Sequence, residues 1–280
     1  MKLNLWVIVL LLISSQLGYG QEMKAYRDHH TRKGDFYFYW GWNSSRYSRS
    51  DIRFSGTDYD FVLDKVVAND RPTAFNLDPY FHPQRLTIPQ YNFRIGYFLS
   101  DRYSVSIGTD HMKYVMQADQ KVHISGAIMN SGTDYDGIYD NEEIILAKGF
   151  LEFEHTDGLN YVNIEARRID ELMTFRYLTL ALTEGLGGGV LYPRTNATLL
   201  NNDRYDEFHV AGYGFSSVLG LQLNIGRHFF IQSEIKGGFI NLPNIRTTSS
   251  SSDIASQSFW YGQFNTVFGA SWNLKGAAKG

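Results

Sequence analysis

The chain has no cysteine and only six prolines in 280 residues. An exported chain with no cysteine has no disulfides, so its stability must come from packing and hydrogen bonding alone. Small secreted domains rarely manage this, whereas closed barrels can. No segment, the short N-terminal apolar run included, is apolar for the roughly 20 residues that a helix needs to span a bilayer. Basic residues do not predominate either: 26 Lys and Arg stand against 29 Asp and Glu, for a formal charge of −3. That balance gives no footing for a nucleic-acid surface.

What is abundant points to strands. Tyr 19, Phe 19 and Trp 5 make aromatics 15% of the chain, and there are 26 glycines. Aromatic and glycine enrichment with few Ala/Leu/Glu/Lys blocks is a composition of strands and turns. The first twenty residues read as an export signal: Lys2 supplies the positive start, Leu5 to Ile13 is apolar, and Gly18-Tyr19-Gly20 is a small-x-small cleavage site. Cleavage before Gln21 removes one basic residue, leaving 25 against 29 acidic and a charge of −4.

The mature chain alternates with period two. In "DFYFYWGWN", Phe36, Phe38, Trp40 and Trp42 share one face, and Asp35, Tyr37, Tyr39 and Gly41 the other. The pattern recurs over residues 88–99, 102–116, 159–169, 178–182, 210–225, 229–239 and 259–274. Tight connections are expected near residues 100, 171 and 226, and long ones over 44–87, 117–157, 187–207 and 241–257. Strict alternation of short and long connections puts the short turns and both termini on one side. This predicts an all-β, antiparallel up-and-down transmembrane β-barrel of eight strands over residues 35–274. An N-terminal periplasmic segment (21–34) would precede it and a tail (275–280) follow. Residues 52–63 and 143–154 also alternate. They are read as strand extensions above the membrane, and counting them as spanning strands gives the alternative of ten.

With the apolar face toward lipid, the other face lines the lumen. It carries Arg94, Asp110, Glu165, Arg167, Glu234 and Lys236, three acids and three bases. Eight strands leave an interior just wide enough for side chains, so these six are expected to pair and close it. The glycine-rich face of residues 210–225 implies either close packing opposite or a small cavity. Gly185-Leu186-Gly187-Gly188-Gly189 has no strand-to-helix context for a phosphate cradle and reads as a strand end bending into the third outer loop.

"SGTDYD" occurs twice, at Ser55 to Asp60 and Ser131 to Asp136. Gly-Thr-Asp is turn chemistry, and both copies fall in expected outer loops. Asp58 with Asp60, and Asp134 with Asp136, are the weak candidates for a divalent ion, although neither copy holds a whole calcium loop. His29-His30 read as a solvated stretch. His111 and His123 flank the second outer loop without a partner at zinc-site spacing. Asn196-Ala197-Thr198 fits a sequon that matters only on a eukaryotic secretory route. No cofactor is called for.

"EFEHTDGLN" resembles the His-x-Ser motif at the outer rim of the lipid A deacylases, eight-stranded barrels that cleave an acyl chain with a Ser-His-Glu set. The resemblance makes His155 the catalytic candidate, as a rim base. Asp157 stands where the nucleophilic Ser would be, and Thr156 is adjacent to His155. At the other end, Gly269 to Leu274 resembles the end-of-barrel signal of bacterial outer-membrane proteins, with Val267 where a polar residue is usual and "KGAAKG" following.

The mature chain as a whole resembles small Gram-negative outer-membrane barrels, such as the barrel of outer membrane protein A or the OmpW-like proteins. "YWGWN", "IPQYNFRIGYF", "EHTDGLNYVN" and "RYDEFHVAGYG" are similar to an uncharacterised barrel family of Bacteroidetes-type bacteria. The resemblance implies a non-enzymatic integral outer-membrane protein with long extracellular loops, structural or ligand- and partner-binding. The alternatives are a narrow pore or transporter for small solutes and a lipid A deacylase-like hydrolase. Implied partners are outer-membrane lipids and lipopolysaccharide, the barrel-assembly machinery during insertion, and an unknown extracellular ligand.

Overall fold

The computed structural model describes residues 31–273 apart from 75, 83, 86 and 87, and leaves the Thr156 side chain undescribed. The export signal, His29, His30, Leu274 and the 275–280 tail lie outside the described residues. In chain order the strands are β1 (Asp35–Tyr47), β2 (Ser50–Ser55), β3 (Tyr59–Val66), β4 (Ala68–Asn69), β5 (Tyr91–Phe98), β6 (Tyr103–Met116), β7 (Lys121–Ile128) and β8 (Gly137–Ile145). They continue with β9 (Leu151–Phe175), β10 (Leu178–Leu191), β11 (Asn196–Leu199), β12 (Gly212–Ile225), β13 (Phe229–Arg246) and β14 (Ile254–Asn273).

Eight of these close a ring in the order β1-β5-β6-β9-β10-β12-β13-β14, and β14 returns to β1. The closing register runs from Asp35↔Asn273 to Tyr47↔Tyr261, so both described ends lie on the side of the short turns. Closure leaves this ring without an edge strand, and every neighbour pair in it is antiparallel. The barrel is therefore eight-stranded, not ten.

The wall faces follow the period of two. Phe38, Phe93, Ile95, Ile107, Ile164, Leu186, Phe215, Leu219, Ile235, Trp260 and Phe264 are all exposed on the outside. A continuous apolar exterior on this scale has no place in water, because soluble monomers rarely expose apolar patches beyond a few hundred Å². It is the lipid-facing band of a membrane barrel.

Strand β6 shows where the band ends. Ser104, Ser106 and Asp110 point inward below Met112, Tyr114 and Met116, while the outward face changes from Tyr103, Val105 and Ile107 to Lys113. Both faces invert polarity along one strand. The lower part is dry outside and polar inside; the upper part is the reverse, as in a soluble protein. Strand β9 does the same, with Glu152 and Glu154 facing out beside inward Leu151 and Phe153.

The upper storey is built from strand ends and extra strands. Strand β2 pairs the start of β14 (Ile254↔Ser55 to Gln257↔Ile52), and β3, β7 and β8 follow in turn. Strand β11 pairs β9 and β4 pairs β6. Their inward side chains, among them Ile52, Phe54, Phe61, Leu63, Ile124, Phe150, Phe153 and Phe259, form one dry core over the lumen. Residues 52–63 are thus the β2–β3 hairpin. Residues 143–154, expected as one extension, are instead the end of β8 and the start of β9, separated at 146–150 where Phe150 N bonds Ala147 O.

Two further expectations are corrected. The second short turn is at Arg176-Tyr177, not near residue 171, because β9 runs on to Phe175 through a register shift between Leu180 and Ala181 of its partner β10. The Gly185–Gly189 run does not bend into a loop. It lies inside β10, paired on both sides from Gly185↔Arg167 to Gly189↔Gly214.

Candidate functional site: the lumen

Six lumen residues from four strands converge at mid-height: Arg94 on β5, Asp110 on β6, Glu165 and Arg167 on β9, and Glu234 and Lys236 on β13. Their phase in the strands turns them inward, and all six are buried. Glu165 is the hub. Its Oε1 accepts from Arg94 Nη2 at 2.8 Å and Lys236 Nζ at 2.6 Å, and its Oε2 from Arg167 at 2.6 Å. Arg167 also reaches Glu234 at 2.7 Å, and Lys236 bonds Asp110. Three positive and three negative charges therefore cancel within one network.

Neutral side chains occupy the remaining hydrogen-bonding capacity. The Tyr39 hydroxyl accepts from Arg94 Nε at 3.0 Å and Arg167 Nη2 at 2.9 Å. Asn163 accepts from Arg94 at 2.6 Å and donates to Asp110 at 3.0 Å, and Asn265 donates to Glu234 at 2.8 Å. Asn92 donates to Asp110 and accepts from Asn43. Buried charges are tolerable only when paired and fully bonded, and this arrangement meets that condition strand by strand. Tyr39, Asn92, Asn163 and Asn265 were not singled out from the sequence, although each sits on a lumen-phase position, which was the available signal.

Room for the network comes from β10 and β12, the strands paired with β9 and β13 in the ring. A Cβ at Gly187 would lie 2.6 Å from Glu165 Cγ, one at Gly185 2.8 Å from Arg167 Cγ, and one at Gly220 2.8 Å from Glu234 Cβ. The glycine-rich faces of β10 and β12 are thus closely packed against charged side chains, which resolves the choice left open by the sequence at this height.

His155 is not at the rim. It lies in the upper core, fully buried, with Phe153 and Tyr114 rings 5.2 and 5.5 Å away. Its Nε2 accepts from Gln257 Nε2 at 3.3 Å, because Gln257 Oε1 is taken by the Tyr114 hydroxyl at 3.1 Å. Its Nδ1 therefore carries the proton and donates to Thr195 Oγ1 at 2.8 Å. This stretch of β9 stands above the lipid band, and burial pushes the imidazole down to about 3, keeping it neutral. Asp157 points away and pairs with Arg194 at 3.0 Å, so it does not orient the ring. The alternation of Leu151, Phe153 and His155 on one face was the signal for a core histidine. His111 stacks on Tyr91 at 4.9 Å and bonds Asn160, and His123 is exposed.

The two SGTDYD copies are neighbours in space. The first makes the β2–β3 turn and the second the β7–β8 turn, and β3 pairs with β7 so that Met129 N bonds Asp58 O at 2.7 Å. Each copy sets a turn and drops its tyrosine onto the upper core, Tyr59 beside Phe61 and Tyr135 beside Phe150. The carboxylates have local work. Arg53 hydrogen-bonds Asp60 and holds it below the usual range, and Ser131 does the same for Asp136. Asp58 and Asp134 are exposed. Among the described residues no three His, Cys, Asp or Glu side chains converge to hold a metal ion.

No family model and no curated protein sequence matches the chain. Among solved structures it is similar to the outer membrane protein OprG of Pseudomonas aeruginosa, at 10% identity and a TM-score of 0.33 over 86% of this chain and 97% of that one. The N-terminal β-barrel domain of OprF from the same organism gives 9% identity and 0.30 over 85% and 98%. The outer membrane protein AlkL in lipid bilayers gives 9% identity and 0.36 over 91% and 97%. The chain's own wall decides its place. A closed ring of eight antiparallel strands, apolar outside and charged inside, is an integral outer-membrane barrel.

Proposed function

We propose that the protein is a sealed, non-enzymatic outer-membrane barrel whose extracellular storey serves a structural or partner-binding role. The observation that carries this reading is the lumen: three acids and three bases neutralise one another across it, beneath a dry aromatic core. A conducting path would have to break buried ion pairs and then part the upper core, at a cost of several kcal/mol for each uncompensated charge. Outer-membrane lipids and lipopolysaccharide would contact the apolar wall, and the barrel-assembly machinery would insert it. The β2–β3 and β7–β8 hairpins would meet any extracellular ligand. Against the narrow-pore reading stand the paired charges across the lumen and the apolar core above them. The deacylase-like reading loses its base, since a neutral His155 sealed among aromatic rings does not reach a substrate at the rim.

Conductance of the purified protein in planar bilayers tests the sealed reading. The parent protein is expected to give no steady channel, and Glu234→Ala brief openings at most. A parent that conducts steadily and highly would replace the sealed barrel with the pore.

A further inference from the structure

Strand β5 is the shortest of the eight wall strands, at 8 residues. It begins at Tyr91, whereas its neighbours β1 and β6 rise to Tyr47 and Met116. Tyr91 pairs with Trp42 and Asn92 with Asp110, so above these residues β1 and β6 flank a seam. Two polar side chains stitch it. Asp70 Oδ2 accepts from Ser45 N at 2.7 Å and its Oδ1 from Gln90 Nε2 at 2.6 Å, and Gln90 Oε1 accepts from Lys113 N at 3.1 Å. In place of a longer strand, side chains satisfy the backbone N–H groups of Ser45 and Lys113.

The chain between β4 and β5 crosses this seam on the outside of the barrel. Over Leu77–Tyr80 it makes one turn, closed by Phe81 N donating to Leu77 O at 2.8 Å. The rings of Tyr80 and Phe81 sit 5.4 and 5.3 Å from Trp42. Trp42 is the last apolar residue on the outward face of β1, with exposed Ser44 and Arg46 above it, and it meets Phe268 of the wall at 5.9 Å. At the far end Ile88 O accepts at 3.1 Å from Nζ of Lys113, on the outward face of β6. The segment therefore reaches from β1 to β6 over the head of β5 and continues the lipid-facing band upward.

Its free side chains are apolar. Leu77 is 70% exposed, Phe81 57% and Ile88 49%. Its charges are turned on each other, Arg85 pairing with Asp78 at 2.9 Å. By contrast Ile138, 76% exposed on β8 of the upper storey, has Asp140 next to it along the strand face. An apolar patch continuous with the band is covered by what covers the band. We propose that Leu77, Phe81 and Ile88 insert into the outer leaflet at the boundary of acyl chains and headgroups, making this part of the first outer loop a membrane-bound flap over the seam. Aromatic side chains favour that boundary, and a cation at the edge of such a patch, here Lys113, suits headgroup phosphates. The flap fixes the depth of the barrel and shields the Asp70–Gln90 stitch from water. The proposal rests on the barrel's place in a membrane and goes beyond it, since an outer loop ordinarily stands in water.

The test exploits the absence of cysteine from the chain. Leu77→Cys, Phe81→Cys, Phe264→Cys and Ile138→Cys are each labelled with a nitroxide, and the full mature chain is folded into dimyristoylphosphatidylcholine vesicles. Heat-shifted gel migration reports that each barrel is closed. Electron paramagnetic resonance then reads collisions with oxygen, which concentrates in lipid, and with a nickel chelate, which stays in water. The Phe264 probe on the wall is expected in lipid and the Ile138 probe in water. The two loop probes are expected to lose nickel accessibility and keep oxygen, at a depth of about 5–10 Å below the phosphates. Leu77→Asp is expected to return the Phe81 probe to the nickel reagent while the Phe264 probe stays in lipid. Loop probes as open to nickel as the Ile138 probe would overturn the proposal. So would shielding from both reagents, which would mean that protein, from this chain or a second copy, covers the patch. A Phe264 probe in water would instead remove the membrane barrel itself, and the proposal with it.

Discussion

Arg167 on β9 and Glu234 on β13 meet at 2.7 Å across the lumen, from strands separated in the ring by β10 and β12. The small lumen-facing residues of those two strands, Gly185, Gly187 and Gly220, are what let the pair form. An ion pair and two glycine-rich strands are thus one structural device.

Breaking that pair on one side leaves a buried guanidinium with half its partners. Glu234→Ala is expected to destabilise the barrel by about 3–5 kcal/mol, whereas replacing both partners with apolar residues of similar volume costs much less. Denaturant unfolding followed by tryptophan fluorescence would compare the two. Equal losses in the single and double variants would mean that the pair is not acting as a unit.

The glycines give a positional contrast. Gly187→Val places carbon within 3 Å of Glu165 and the facing strand, so it is expected to cost at least about 1–3 kcal/mol and to reduce the heat-modifiable folded form. A Cβ at Gly262 on β14 meets nothing within 4 Å, so Gly262→Ala is expected to stay within about 0.5 kcal/mol of the parent. Similar yields of folded protein from both would contradict the packing described for β10.

Much of this was legible in the sequence for a simple reason: a strand's side chains alternate, and lipid outside with charge inside makes the alternation chemically stark. Arg94, Asp110, Glu165, Arg167, Glu234 and Lys236 stood out as charges opposite an apolar face. What failed was the reading of residues that lack contrast. Gly185 to Gly189 looked like a bend because glycine carries no side chain to show its face. The β9–β10 turn was displaced because apolar Leu172, Met173 and Phe175 extend a bulged strand beyond the expected hairpin. The rim reading of His155 follows a motif likeness over a few residues, where the alternation with Leu151 and Phe153 places it on the core face; pairing β6 with β9 shows the inversion of polarity above Asp110 that makes this face a core.

Asp58, Asp60, Asp134 and Asp136 yield an expectation about divalent ions. With Asp60 engaged by Arg53 and Asp136 by Ser131, chelation by EDTA is expected to leave the thermal unfolding of the detergent-folded protein unchanged. A calcium-dependent rise in unfolding temperature that Asp58→Asn and Asp134→Asn abolish would show that the adjacent turns bind the ion after all.

The buried imidazole of His155 ties the upper storey to pH. The folded chain keeps this group neutral down to about pH 3, whereas in the unfolded chain it takes up a proton near its ordinary value of 6.5. Above that value both states are neutral and the histidine contributes no pH dependence. As the pH falls below it, the unfolded state binds a proton that the folded state does not, so stability is lost at up to about 1.4 kcal/mol per pH unit until the folded value is reached. Carboxylates such as Asp60 and Asp136, held below their usual range, also lose stability on acidification, but nearer pH 4, so the upper part of the window belongs to the histidine. His155→Gln keeps a donor and an acceptor between Thr195 and Gln257 and is expected to cost about 1 kcal/mol at pH 7.5. Denaturant unfolding at pH 7.5, 6 and 5 should then show the parent losing its advantage step by step as the imidazole's penalty grows. A constant difference between the two proteins over that range would mean that the histidine is protonated, or hydrated, inside the fold.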